Sequence, residues 1–201
     1  MEKILEIEKL SFSYGENPII AGFDLTLGRG ERLCLAAPSG KGKTTLLRLI
    51  AGLERPESGS IRVGGRLAYL FQEDRLLGWR TIGKNLTLAA NRSLSEPVRR
   101  ERATSALEAV GLSGCADKYP RELSGGMKRR AAIARTLCYG GELLLLDEPF
   151  TGLDRDSREL CARALLSYFP DAAMLLISHI PEDAGLLGAE ICETDFGVRN
   201  S

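Results

Sequence analysis

Two periodicities alternate along this chain. Short apolar runs at 4–7, 19–20 and 23–27 are separated by the turn chemistry of Gly15-Glu16-Asn17-Pro18 and Gly28-Arg29-Gly30, which predicts strands with tight connections. Residues 33–37 form an unbroken apolar run, as a fully buried strand requires. Leu46, Leu49, Ile50 and Leu53 then recur at i, i+3, i+4 and i+7, one face of an amphipathic helix that Gly52 and Pro56 would end. Further strands are predicted at 60–63 and 67–71. A mostly helical stretch follows. A helix over 96–110 is opened by Ser95 and Pro97 and closed by Gly111, and a second covers 126–137. Strand–helix alternation returns with a strand at 143–146, a helix at 154–168 with Cys161, Ala164, Leu165 and Tyr168 on one face, a strand at 174–177, and a short helix from Pro181. The expected organisation is one domain over 1–201, with 1–75 and 139–201 forming a β-rich core and about 76–138 an inserted helical lobe. There is no internal repeat and no low-complexity tract.

Composition narrows the class. The chain has 201 residues, enough for one sizeable core with a lobe attached. Lys+Arg and Asp+Glu both number 27, without the basic excess of a nucleic-acid binder, so no nucleic acid is expected as a partner. The N-terminal residues are charged and lack a signal-peptide apolar core. The longest apolar runs, 143–146 and 172–177, fall far short of the roughly 20 residues that span a bilayer. Any membrane role is therefore expected to run through a partner. Cys34, Cys115, Cys138, Cys161 and Cys192 form no C-x-x-C pair, which suggests free thiols in a reducing, cytoplasmic compartment.

Three places carry chemistry. The first is Ala37-Pro38-Ser39-Gly40-Lys41-Gly42-Lys43-Thr44-Thr45, between a buried strand and a helix. Such a loop turns backbone N–H groups inward as an anion nest, and the helix N-terminus adds partial positive charge. Gly40 and Gly42 allow close approach of the backbone. Lys43 would reach the β- and γ-phosphates of a nucleotide, and the Thr44 hydroxyl would ligate Mg²⁺. Ala37 stands where this pattern usually opens with glycine.

The second is the apolar strand that ends in Asp147-Glu148. Ligands of parallel sheets bind at the carboxyl ends of strands, so Asp147 can face a metal beside Thr44. Glu148 would polarise an attacking water. The third is Ser178-His179, at the end of another apolar strand and holding the only histidine of the chain. A lone histidine is usually structural, but this one is expected at the same sheet edge, against the γ-phosphate or the water.

Leu123-Ser124-Gly125-Gly126-Met127 resembles the signature motif of ABC (ATP-binding cassette) ATPases, normally Leu-Ser-Gly-Gly-Gln. The resemblance covers nearly the whole chain. It implies an α/β fold, a P-loop NTPase of the ABC type, with a mixed sheet core, an N-terminal antiparallel β part and an inserted α-helical lobe. It implies that Tyr14 stacks on adenine, that Gln72 senses Mg²⁺ and water, that Leu153-Asp154 is the D-loop, and that His179 is the switch histidine. Ser124, Gly125 and Gly126 open a helix and so present N–H groups to an anion. The family's arrangement is a head-to-tail dimer, in which each signature caps the ATP held by the other subunit. The implied ligands are ATP and Mg²⁺. Met127 cannot make the usual amide's hydrogen bonds, and Ile180 stands where many relatives carry aspartate. Both departures bear on rate.

Residues 71–82 look like the Q-loop region of importers of the nitrate, sulfonate and taurine group, with Gly78-Trp79 where a Pro-Trp pair is common. There a membrane permease inserts a coupling helix. An exposed Trp79 with Leu76 and Leu77 would suit such a groove, whereas Trp79 packed inside the lobe would be purely structural. The implied partners are a second cassette, homodimeric or paralogous, permease subunits and a solute-binding protein, with the chain on the inner face of the membrane. The chain ends shortly after His179, and no regulatory C-terminal domain is expected. Two other readings are a non-transport ABC protein acting on nucleic acid and a cassette that no longer hydrolyses ATP. Neither a long coiled-coil insert nor a second cassette is present, and Gln72, Glu148 and His179 all are. The basic clusters at 99–102 and 128–130 read as solvated helix faces.

Overall fold

The computed structural model describes residues 2–36, 42–194 and 196. The chain divides into two compact units. One comprises Met1–Tyr69, Gly141–Asp147 and Asp171–Ser201, and the other comprises Leu70–Gly140 and Glu148–Pro170.

In the first unit, apolar residues of β1 (Lys3–Tyr14) are buried at Ile4, Leu5, Ile7, Leu10 and Phe12. β1 pairs antiparallel with β2 (Asn17–Gly28) and with β4 (Ser58–Val63), giving the order β2-β1-β4. A second sheet has the order β5-β6-β7-β3-β8, with β3 at Arg32–Ala36, β5 at Leu67–Leu70, β6 at Leu143–Asp147, β7 at Ala173–Ile177 and β8 at Glu190–Glu193. The central strands are parallel. Leu35 pairs with Ile177, and Asp147 pairs with the same Ile177. Every residue of β6 and β7 is buried, which is why both read as unbroken apolar runs rather than alternating ones. Successive side chains leave a strand on opposite faces. Accordingly Leu143, Leu145, Ala173, Leu175 and Ile177 share one core cluster with β1, with β2, and with Leu46, Leu47, Leu49 and Ile50 of α1 (Lys43–Ile50). Phe196 closes this cluster, fully buried with its ring centroid 5.4 Å from that of Phe23. α6 (Pro181–Leu187) follows β7.

The second unit is helical. It contains α2 (Ile82–Ala89), α3 (Glu96–Ala109), a 3₁₀ turn at Pro120–Glu122, α4 (Gly125–Tyr139) and α5 (Arg155–Tyr168). α4 packs against α2, α3 and α5. Its buried face carries Ala131, Ala132 and Ala134, small residues that let neighbouring helices approach. This unit takes in more chain than the 76–138 expected. α5, which the strand–helix alternation assigned to the core, packs with α3 and α4 instead. Tyr168, expected on its buried face, is 38% exposed.

α2 and β8 were not predicted. α2 spans only eight residues without an acidic first turn, and β8 is exposed at every position. Thr81 caps α2, its hydroxyl accepting from the Lys84 N–H at 3.4 Å, and β8 is held by parallel pairing with β3. Among the described residues no helix is long and apolar enough to cross a membrane.

Candidate functional site

Parallel register brings the first set of predicted residues to one edge. β3 runs out at Ala36, β6 at Asp147 and β7 at Ile177, and the pairing of Ile177 with both Leu35 and Asp147 levels these ends. Ala37, Pro38, Ser39, Gly40 and Lys41 lie outside the described residues. Gly42 caps α1 with φ 86°, and a Cβ there would stand 2.5 Å from Ile19 Cγ2. Both the left-handed backbone and the close approach call for glycine. Lys43 opens the helix and is buried, and Thr45 is partly buried.

Thr44 Oγ1 donates to Asp147 Oδ1 at 3.4 Å, and Tyr69 Oη donates to Asp147 Oδ2 at 3.4 Å. The predicted hydroxyl–carboxylate pair therefore does meet. Tyr69 adds a contact that sequence reasoning missed, because it sat inside a run read only as a strand. His179 is exposed directly after β7. Its turn is braced by Ser178 Oγ, which donates to Asp183 Oδ2 at 2.6 Å and accepts from the Ile180 N–H at 3.0 Å. Tyr14 is half exposed and stands edge-on to Phe12, with centroids 4.8 Å apart.

The remaining residues lie in the helical unit. Glu148 is buried and adopts φ 48°, a left-handed conformation that costs a non-glycine residue about 1–2 kcal/mol. Pro149 disfavours the right-handed helical alternative at 148. The Glu148 carbonyl accepts from the Thr151 N–H at 3.3 Å. Gln72 is exposed. Leu123 is buried, and Ser124 caps α4 by accepting from the Met127 N–H at 3.3 Å. Asp154 caps α5, with Oδ1 accepting from the Ser157 N–H at 2.8 Å, and this bond holds its carboxyl below the usual carboxylate range. Trp79 is 73% exposed, so it is not packed within the helices of its unit.

Residues 20–151 match the family described as ABC transporter. An aliphatic sulfonates import ATP-binding protein of Nocardia farcinica is 40% identical over 96% of this chain and 78% of its own. The chain belongs to the ABC transporter family. It is an ATP-hydrolysing cassette of the P-loop type, in the importer group to which these relatives belong. The corresponding protein of Bacillus subtilis is 39% identical, over 88% of this chain and 72% of its own. A thiamine import ATP-binding protein of Mesorhizobium japonicum is 36% identical, over 96% and 81%. Among solved structures, a dimeric ATP-binding cassette in a post-hydrolysis state with ADP and Pi has a TM-score of 0.85 at 23% identity, covering 96% of this chain and 95% of that one. The α/β cassette fold expected from the motifs is thus the fold found.

In this ABC cassette the basic residues 128–130 are not all solvated. A solvated helix face is what the sequence predicts here, whereas Arg129 is only 3% exposed. Its Nε donates to the Pro149 carbonyl at 2.8 Å and its Nη2 to the Glu148 carbonyl at 2.7 Å. Its Nη1 donates to the carbonyls of Phe71 at 2.7 Å and Gln72 at 3.0 Å, and lies 3.5 Å from Asp74. Arg130 Nη1 donates to the carbonyls of Val110 and Gly111 at the end of α3. No sequence signal separates these arginines from solvated ones, since their partners are backbone carbonyls distant along the chain. In the cluster at 99–102, Arg100 and Arg102 are exposed and Arg100 pairs with Glu96, whereas Arg99 is partly buried.

The hard oxygens of Thr44 and Asp147 suit Mg²⁺, which keeps several waters and takes few protein carboxylates beside substrate phosphates. Among the described residues there is no group of three or more His, Cys, Asp or Glu that could hold a metal.

Proposed function

We propose that this cassette powers import of a small solute through a separate membrane permease, by closing and opening as a head-to-tail pair around ATP. The names of its relatives range from aliphatic sulfonates to thiamine, so import is what they share. The observation that carries the site assignment is the Thr44–Asp147 contact at the carboxyl edge of the parallel sheet.

In this reading residues 37–45, with Lys43, Thr44 and Thr45, hold the phosphates, and Tyr14 stacks on the adenine. Thr44, Asp147 and Gln72 hold Mg²⁺, which when bound offsets charge on the β- and γ-phosphates. Glu148 draws the proton of a water whose oxygen adds to the γ-phosphorus. The bond from that phosphorus to the β–γ bridging oxygen breaks, and ADP and inorganic phosphate leave. His179 orients the γ-phosphate. Ser124, Gly125 and Gly126, with Leu123 and Met127 beside them, meet the partner's ATP, and Asp154 lies at the same face. Exposed Trp79 supports a permease contact, with the cassette on the inner face of the membrane and a solute-binding protein delivering cargo outside.

Glu148→Gln tests the assignment. It should bind ATP normally and lose turnover at least about 10²-fold, the low end for a lost general base. Near-normal hydrolysis by this variant would sink the role given to Glu148.

A further inference from the structure

We propose that Arg129 is a positioning residue for hydrolysis, setting the direction of the Glu148 carboxylate and tying it to the Gln72 segment. This rests on the reading of Glu148 as the group that activates water. One buried guanidinium, one turn into α4, donates to the carbonyls of Glu148 and Pro149 on one side and of Phe71 and Gln72 on the other.

Two features make this more than ordinary packing. First, the clamp acts on a backbone in an uncommon conformation. Glu148 sits at φ 48° with proline following, and the turn bond from Thr151 is long at 3.3 Å. A strained φ persists only where surrounding structure over-determines it. Without the clamp, residue 148 has extended backbone open to it, and its carboxylate would swing with the change. Second, the fork of a guanidinium is planar and rigid. The Gln72 and Glu148 carbonyls are therefore held at a set separation, and a shift of one segment is passed to the other. Because Ser124 opens the same helix, the signature, residues 71–72 and residues 148–149 form one mechanical unit.

The test uses the purified full chain, with steady-state and single-turnover ATP hydrolysis and equilibrium ATP binding. Lysine keeps the charge but cannot span both carbonyl pairs. Arg129→Lys should lower kcat about 10-fold or more and leave the KM for ATP within about 3-fold, the pattern of a lost transition-state interaction. In a Glu148→Gln background the same change should lower the residual rate by less than about 2-fold, because its effect acts through that carboxylate. An unchanged kcat, a raised KM at constant kcat, or the full loss repeated in the Glu148→Gln background would each overturn the inference. These outcomes are distinct from near-normal hydrolysis by Glu148→Gln alone, which removes the reading beneath it. If Arg129→Lys yields no folded protein, Asp74→Asn replaces it, since this removes the carboxylate beside the guanidinium. It should lower kcat about 3-fold at constant KM, and no change in kcat would count against the clamp.

Discussion

Lys128 and Arg129 are neighbours in sequence, yet only Arg129 is fully buried, bonded to backbone carbonyls. The cysteines differ in the same way. Cys34, Cys115, Cys138 and Cys161 are buried, and Cys192 on the edge strand is exposed. Burial pushes the Cys138 and Cys161 thiols up to about 12 from an ordinary value of 9.0. Between those values the unfolded chain holds fewer protons than the folded one, so stability falls as pH rises through that window. Denaturant titrations at pH 8 and pH 10 should show a lower midpoint at pH 10. At pH 8 a thiol-specific reagent should label one cysteine rapidly in the native protein and all five after unfolding. Rapid native labelling of a second would contradict the burial of the other four.

At the scale of elements, the stability that a helix start contributes can be separated from the function proposed for it. Thr81 caps α2 and has no part in the proposed chemistry. Thr81→Ala should lower stability by about 1 kcal/mol in chemical denaturation while leaving ATP binding intact. Gly125 opens α4, and a Cβ added there meets nothing within 4 Å in this chain. Gly125→Ala should therefore keep its melting temperature. If the signature meets a partner's nucleotide, the same change should lower ATPase activity and weaken ATP-dependent pairing. Full activity in Gly125→Ala would argue that nothing approaches that helix start. Some element boundaries were legible and others were not: β1 runs on to Tyr14 where a strand was expected only at 4–7, β2 is one strand over Asn17–Gly28 where two were expected, and α1 ends at Ile50, leaving Leu53 exposed. Unbroken apolar runs marked β3, β6 and β7, and Asp154 and Gly111 marked helix ends, because caps and burial are written in local residue types. α2 and β8 were not legible. One is short with a weak pattern, and the other has no buried face and exists through pairing alone.

For the molecule as a whole, an interface glued by nucleotide predicts that association depends on ATP. The chain should be monomeric without nucleotide, and the Glu148→Gln variant should form a dimer with ATP in analytical ultracentrifugation. A stable nucleotide-free dimer would contradict an ATP-gated interface. The order of motifs along the chain determined the family by itself. A phosphate loop between strand and helix, a strand ending in Asp147-Glu148, a signature start and a histidine after a strand are local chemical requirements, and local requirements are written in sequence. Tertiary structure decided the rest, for one physical reason. Thr44 reaches Asp147, Tyr69 reaches the other oxygen of that carboxylate, and α5 joins the helical unit only through strand register and helix packing between distant segments. Arg129 is the sharpest case. A charged residue type predicts solvent, and only the fold supplied the carbonyls that make burying it possible.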